Sequence, residues 1–174
     1  MNKADLQRLF EYSYWATGQI LRTAEELPPE DFVAPTDVTY RNIRGTLVHT
    51  LDVERSWRLG LRGEPRETWD PELPEGDFPD VRALSAAWRD DEGAMRTWLG
   101  TLDDESVEGI VDLGPKDQCP LSVFLLHIIT HSTQQRRDAA ILLERACHPA
   151  PEIDFLYHAD SLGETERSLF TPTS

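Results

Sequence analysis

Several things are scarce in this chain of 174 residues, and each scarcity excludes something. There are only two cysteines, Cys119 and Cys147, and they form no CxxC. A chain of this length needs no covalent staple, and two distant thiols point to the reducing cytoplasm. Basic residues are outnumbered, with 17 Lys and Arg against 32 Asp and Glu and a formal net charge of −15. That balance argues against phosphate-backbone binding, which rests on basic clusters, and suits a solvated surface. No apolar run is long enough to span a bilayer, and the N-terminus lacks the uninterrupted apolar stretch of a secretory signal. Internal repeats and low-complexity tracts are missing. So are GxSxG, Walker A, GxGxxG and HExxH motifs.

What remains is the profile of a globular protein, 39% hydrophobic and 28% charged. The length suggests one domain over residues 1–160 with a polar C-terminal tail, 161–174. Three-four apolar spacing predicts four long helices. The first covers residues 3–26, with Leu6, Phe10, Ser13, Thr17 and Ile20 on its buried stripe, and Pro28-Pro29 stops it. The second starts at Asn42, a good N-cap, and runs to about residue 61. The third covers about 80–102. The fourth follows Pro120, a favourable first-turn residue, and runs to about 146 or 147 before His148-Pro149. Residues 63–80, rich in proline and acid, read as a crossover that Trp69 and Phe78 pin to the body. A small hairpin is expected from 107–113 and 118–120, and one helical turn near 152–157. These elements predict an all-α four-helix bundle with a long crossover connection.

The fourth helix carries the most suggestive run, with His127 and His131 four residues apart and Gln135 four further on. Residues at i and i+4 stack on one helix face, so they can approach one ion. The helical wheel points His131 and Gln135 inward and leaves His127 on the flank. His49 is the other mid-helix histidine. Glu54 lies inside the apolar arc of the second helix, where a carboxylate must be paired, protonated or close to a cation. It is the one carboxylate that the wheel offers as a general base. Trp15 and Trp57 are candidates to wall a binding cavity, although packing alone also accounts for both.

Three stretches carry a resemblance to a known family. Val48-His49-Thr50-Leu51-Asp52-Val53-Glu54-Arg55-Ser56-Trp57 resembles the second helix of the DinB/YfiT-like proteins, where a histidine is followed by an acidic residue and a tryptophan. Residues 126–140 resemble their last bundle helix, whose pattern is close to HxxxHxxxHRGQ. Tyr12-Ser13-Tyr14-Trp15-Ala16 matches a Tyr-x-x-Trp-Ala stretch of their first helix. The similarity extends to His148-Pro149-Ala150-Pro151 and spans about residues 3–157.

The resemblance implies a four-helix bundle with an up-up-down-down-like crossover, often a homodimer. It also implies a divalent ion, typically nickel, zinc or iron, held by three histidines. Carried over by position, the ligands fall on His49, His131 and Gln135. Glutamine oxygen is a weaker, harder ligand than imidazole. Three possibilities stay open: Gln135 ligates through oxygen, His127 supplies the third nitrogen, or the metal is lost. Relatives imply a thiol-dependent S-transferase, with a low-molecular-weight thiol as cosubstrate, or a hydrolase acting on a small molecule. Asp52 or Glu54 would then support the ligands from behind. The alternative is a non-catalytic, stress-associated bundle with a binding or scaffold role. Neither nucleic acid nor membrane is an expected partner.

Overall fold

The computed structural model describes residues 1–114 and 118–165. Helix α1 (Lys3–Ala24) opens on a capping box, in which Asn2 accepts from the Asp5 amide and Asp5 accepts from the Asn2 amide. A short turn of helix, α2 (Pro29–Phe32), follows the double proline. Helix α3 (Ile43–Leu61) is capped by Asn42, whose side-chain oxygen accepts from the Gly45 amide at 2.8 Å. Asp80 caps α4 (Val81–Thr101) in the same way, through the Ala83 amide.

Val107 was expected in a strand. Instead Asp103 caps a short helix, α5 (Asp104–Glu108), and buries Val107 in the core. The hairpin is correspondingly shorter. Strand β1 (Ile110–Asp112) pairs antiparallel with β2 (Gln118–Pro120), Val111 opposite Cys119. The expected turn at 114–117 lies mostly outside the described residues. Pro120 then leads into α6 (Leu121–Arg145). The single turn expected near 152–157 is a two-turn helix, α7 (Phe155–Ser161), which starts later because Asp154 caps it. The polar tail expected over 161–174 lies beyond residue 165 for most of its length.

Two apolar clusters fix how the long helices run. Ile20 and Ala24 of α1, Ile43 and Leu47 of α3, Leu84 and Trp88 of α4, and Ala139 and Leu143 of α6 share one cluster. Leu6 and Phe10 of α1, Met95 and Leu99 of α4, and Leu125 and Ile128 of α6 share the other, with Trp57 and Leu61 of α3 packed on it. The early residues of α1 and α6 therefore lie at one end, and the early residues of α3 and α4 at the opposite end. The order is up-down-down-up, not up-up-down-down. Two parallel neighbours, α3 and α4, need a connection that returns the length of the bundle, and residues 62–80 make it. Phe78 is buried there, and the Trp69 indole covers Gly60 while donating to the Glu64 carbonyl at 3.0 Å.

Between the two apolar clusters lies a buried polar layer. Ser13 and Thr17 from α1, Thr50, Glu54 and Arg58 from α3, Asp91 from α4, and Ser132 and Arg136 from α6 are all buried. Most of them have partners, as buried polar groups must. Arg58 donates to Asp91 across the α3–α4 seam. Thr50 donates to the Thr46 carbonyl one turn back at 2.7 Å. The layer sits at mid-height, where α3 and α6 cross the level of the candidate histidines.

Candidate functional site

Helices α3 and α6 pack against each other along their length. On one flank of that seam His49 meets His131, their ring centroids 5.3 Å apart and their planes at 74°. Both rings are half-buried. Nδ1 of His131 is fully shielded and has no hydrogen-bond partner. Burial pushes the His131 imidazole down to about 4, and the charges of His49, His127 and Arg41 add to this. Burial and then Arg41 also lower His49, against the opposing pull of Asp52 and Glu72. His131 is therefore neutral at pH 7, the form in which imidazole binds metal.

Two imidazoles on one tetrahedral ion, with N–metal bonds of roughly 2.0–2.1 Å, put their ring centroids about 5 Å apart. The His49–His131 pair is compatible with that spacing. His127 fits less well. Its ring is 6.2 Å from His131 and stands edge-on to Trp57 at 5.2 Å, and the residue is exposed. Gln135, one turn beyond His131, is half-buried. Among the described residues no three His, Cys, Asp or Glu side chains are arranged to hold a metal.

The other candidates are distributed differently. Glu54 follows His49 by five residues, roughly 140° around the helix, so it faces another direction. It is fully buried, accepts a hydrogen bond from the Ser132 hydroxyl, and lies in the field of Arg136. Burial pushes its carboxyl up to about 8. Glu54 is thus enclosed in the bundle, on a different side of α3 from His49. Trp57 lies beside His127 and Phe124 and lines an aromatic cavity of about 480 Å³ with Trp69 and Leu113. Trp15 stands elsewhere, against Tyr12 and His158 beneath α7.

A cavity of about 340 Å³ opens beside His49. Arg41, His49, Asp52, Glu72 and Glu75 line it. Sequence reasoning singled out neither Arg41 nor Glu72, because both belong to connections without periodicity. It also missed Arg136, whose guanidinium donates to Ser13 Oγ at 2.8 Å and to Thr133 Oγ1 at 2.9 Å. That residue had a readable trace: Ser13 and Thr17 interrupt the apolar stripe of α1, and a polar gap in a stripe asks for a partner.

Among curated proteins none is significantly similar to the chain. A family model described as the DinB family matches residues 1–167. The match covers nearly the whole length of this helical bundle, and the chain belongs to the DinB family.

Proposed function

We propose that the protein is a metal-dependent enzyme acting on a small molecule, with His49, His131 and Gln135 holding a divalent nickel, zinc or iron ion. The observation that carries this reading is the buried, unpartnered Nδ1 of His131 beside the His49 ring. A shielded imidazole nitrogen without a partner is costly, and a metal ligand bond is one way to satisfy it. Three protein ligands leave a position for substrate or water. A bound ion would act there as a Lewis acid, holding a low-molecular-weight thiol as thiolate near neutral pH.

The chain's own residues account for the rest. His49 and His131 present neutral lone pairs. The Arg41 charge opposes protonation of both. Asp52 accepts the Leu73 amide at 2.9 Å and so fastens the crossover against α3, closing one wall of the cavity. Glu54 lies out of reach of that cavity's solvent. Thiol transfer therefore suits the site better than a hydrolysis that requires Glu54 as base. The reading includes a cytoplasmic homodimer, as the family resemblance implies.

Gln135 favours a second reading, a non-catalytic bundle that has kept the fold without the metal. Elemental analysis of protein purified without an affinity tag or added metal separates the two. The enzyme reading expects stoichiometric metal that disappears in His131→Ala, binds more tightly in Gln135→His and is unchanged in His127→Ala. Metal-free protein whose melting temperature ignores added nickel, zinc and iron leaves the second reading.

A further inference from the structure

The cavity beside His49 is lined by charges of both signs, and they are not equally committed. Asp52 accepts from the Leu73 amide. Glu75 pairs with Arg44 at 3.4 Å. Arg41 and Glu72 are different. Arg41 lays its guanidinium over the Tyr40 ring at 4.9 Å, and among the described residues it donates to no carboxylate or carbonyl. Glu72 likewise has no hydrogen bond or ion pair among the described residues. These two side chains carry opposite charge, line the same cavity and do not pair with each other.

Arg41 comes from the loop entering α3, and Glu72 from the crossover. Both elements are held close to α3, the first by the Asn42 cap and the second by the bond from Leu73 to Asp52. The segments that bear the two charges are thus held on separate walls, Glu72 exposed and Arg41 half-buried, with His49 sharing the lining. At about 340 Å³ the cavity is at the small end of ligand sites. A concavity with separated opposite charges is complementary to a molecule that carries both. A guanidinium also matches a carboxylate in geometry, two N–H groups to two oxygens.

We infer that this cavity takes a small zwitterion of the α-amino-acid class, its carboxylate on Arg41 and its ammonium on Glu72. The side chain of such a molecule would then extend along the lining toward His49. The inference deepens the metal reading, since it names the class of molecule presented to His49, and it rests on that reading for its catalytic meaning only.

Binding is therefore measured on chelator-treated protein, by calorimetry and by the NMR shift of the Arg41 side-chain Nε–H. The probe is S-methyl-L-cysteine, with propionate and propylamine as singly charged controls. Saturable binding of the zwitterion is expected, with each control at least tenfold weaker. Arg41→Gln and Glu72→Gln should each weaken the zwitterion at least tenfold, Arg41→Lys should restore part of the loss, and Arg82→Gln, outside the cavity, should change nothing. Circular dichroism melts verify that each variant is folded. No binding by folded wild-type protein, equal binding by the Arg41 and Glu72 variants, or a control that binds as well as the zwitterion overturns the inference. Because no metal is present, these outcomes are independent of whether His49 and His131 hold one.

Discussion

The same two helices, α3 and α6, carry two polar clusters that solve the problem of burial in opposite ways. Glu54, Ser132 and Arg136 face inward, and most of their polar atoms are spent on one another, on Ser13 and on Thr17 and Thr133. His49 and His131 face the flank, where a shielded nitrogen has been left without a partner. A rotation of roughly 100° per residue is all that separates Ser132 from His131. The inner cluster holds the helices in register. The outer one is left with bonding capacity that folding does not use, which is what a binding site requires.

The sharpest way to break this contrast is to delete one member of each. Arg136→Ala removes a buried cation, its hydrogen bonds to Ser13, Thr17 and Thr133 and its field on Glu54, which should cost about 3–5 kcal/mol. His131→Ala in metal-free protein should cost less than about 1 kcal/mol, because the lost ring leaves no partner unsatisfied. Urea unfolding of both variants gives the comparison directly. Similar costs for the two would mean that the histidine flank is structural.

Much of this contrast was legible before the fold was known. The long helices and their caps follow from spacing and from Asn42, Asp80 and Pro120. The pairing of His49 with His131 was suggested by the wheel and the family pattern. What could not be read was direction within the apolar arc. Glu54 was visible as a carboxylate in an apolar stripe, which is equally true of a catalytic base and of a buried strut. Only the partner decides, and Ser132 and Arg136 lie some eighty residues away in a helix whose rotation the sequence does not specify. Arg41 and Glu72 were illegible for a different reason: they sit in connections, where neither period applies and position depends on what the loop is tied to. The up-up-down-down order came from the resemblance alone, and apolar spacing could not correct it, being blind to whether neighbouring helices run parallel.

The clusters should also respond to pH with opposite sign. Glu54 titrates near 8 in the folded chain against an ordinary value of 4.5. Folding therefore favours its protonated form, and its contribution is complete below about pH 4.5 and lost as pH rises through 8. Asp91 and Glu92, which face it from α4, are raised too and act in the same direction. Tyr14, facing it from α1, stays neutral throughout this range, and Arg136 favours the carboxylate without overcoming burial. His131, lowered to about 4, works the other way: stability grows from pH 4 to about 6.5 as the unfolded imidazole loses its proton. The two slopes oppose each other up to pH 6.5, and only the carboxylates remain above it. Stability measured by denaturant should fall between pH 6.5 and 8. Glu54→Gln, whose amide oxygen still accepts from Ser132, should remove most of that fall. An unchanged fall in Glu54→Gln assigns it to Asp91 or Glu92.

A smaller effect, remote from both clusters, calibrates the others. Helices α3, α6 and α7 end alike. In α3 the Glu64 amide reaches back to the Leu59 carbonyl while Gly63 takes φ +74°. In α7 the Glu164 amide bonds Ala159 and Gly163 takes φ +71°. In α6 the His148 amide bonds Leu143, the Cys147 amide bonds Glu144, and the left-handed residue is Cys147 at φ +59°. Two of three ends use glycine where the geometry favours it, and the third carries a side chain that strains there. Cys147 is exposed, so its thiol contributes little packing to offset the strain. Cys147→Gly should stabilise the protein by about 0.5–1 kcal/mol, the left-handed penalty less the entropy that glycine loses on folding. It should leave the pH slope and metal content untouched. A melting temperature raised by roughly 1–4 °C with an unaltered pH profile would separate backbone strain from cluster electrostatics in the same assay.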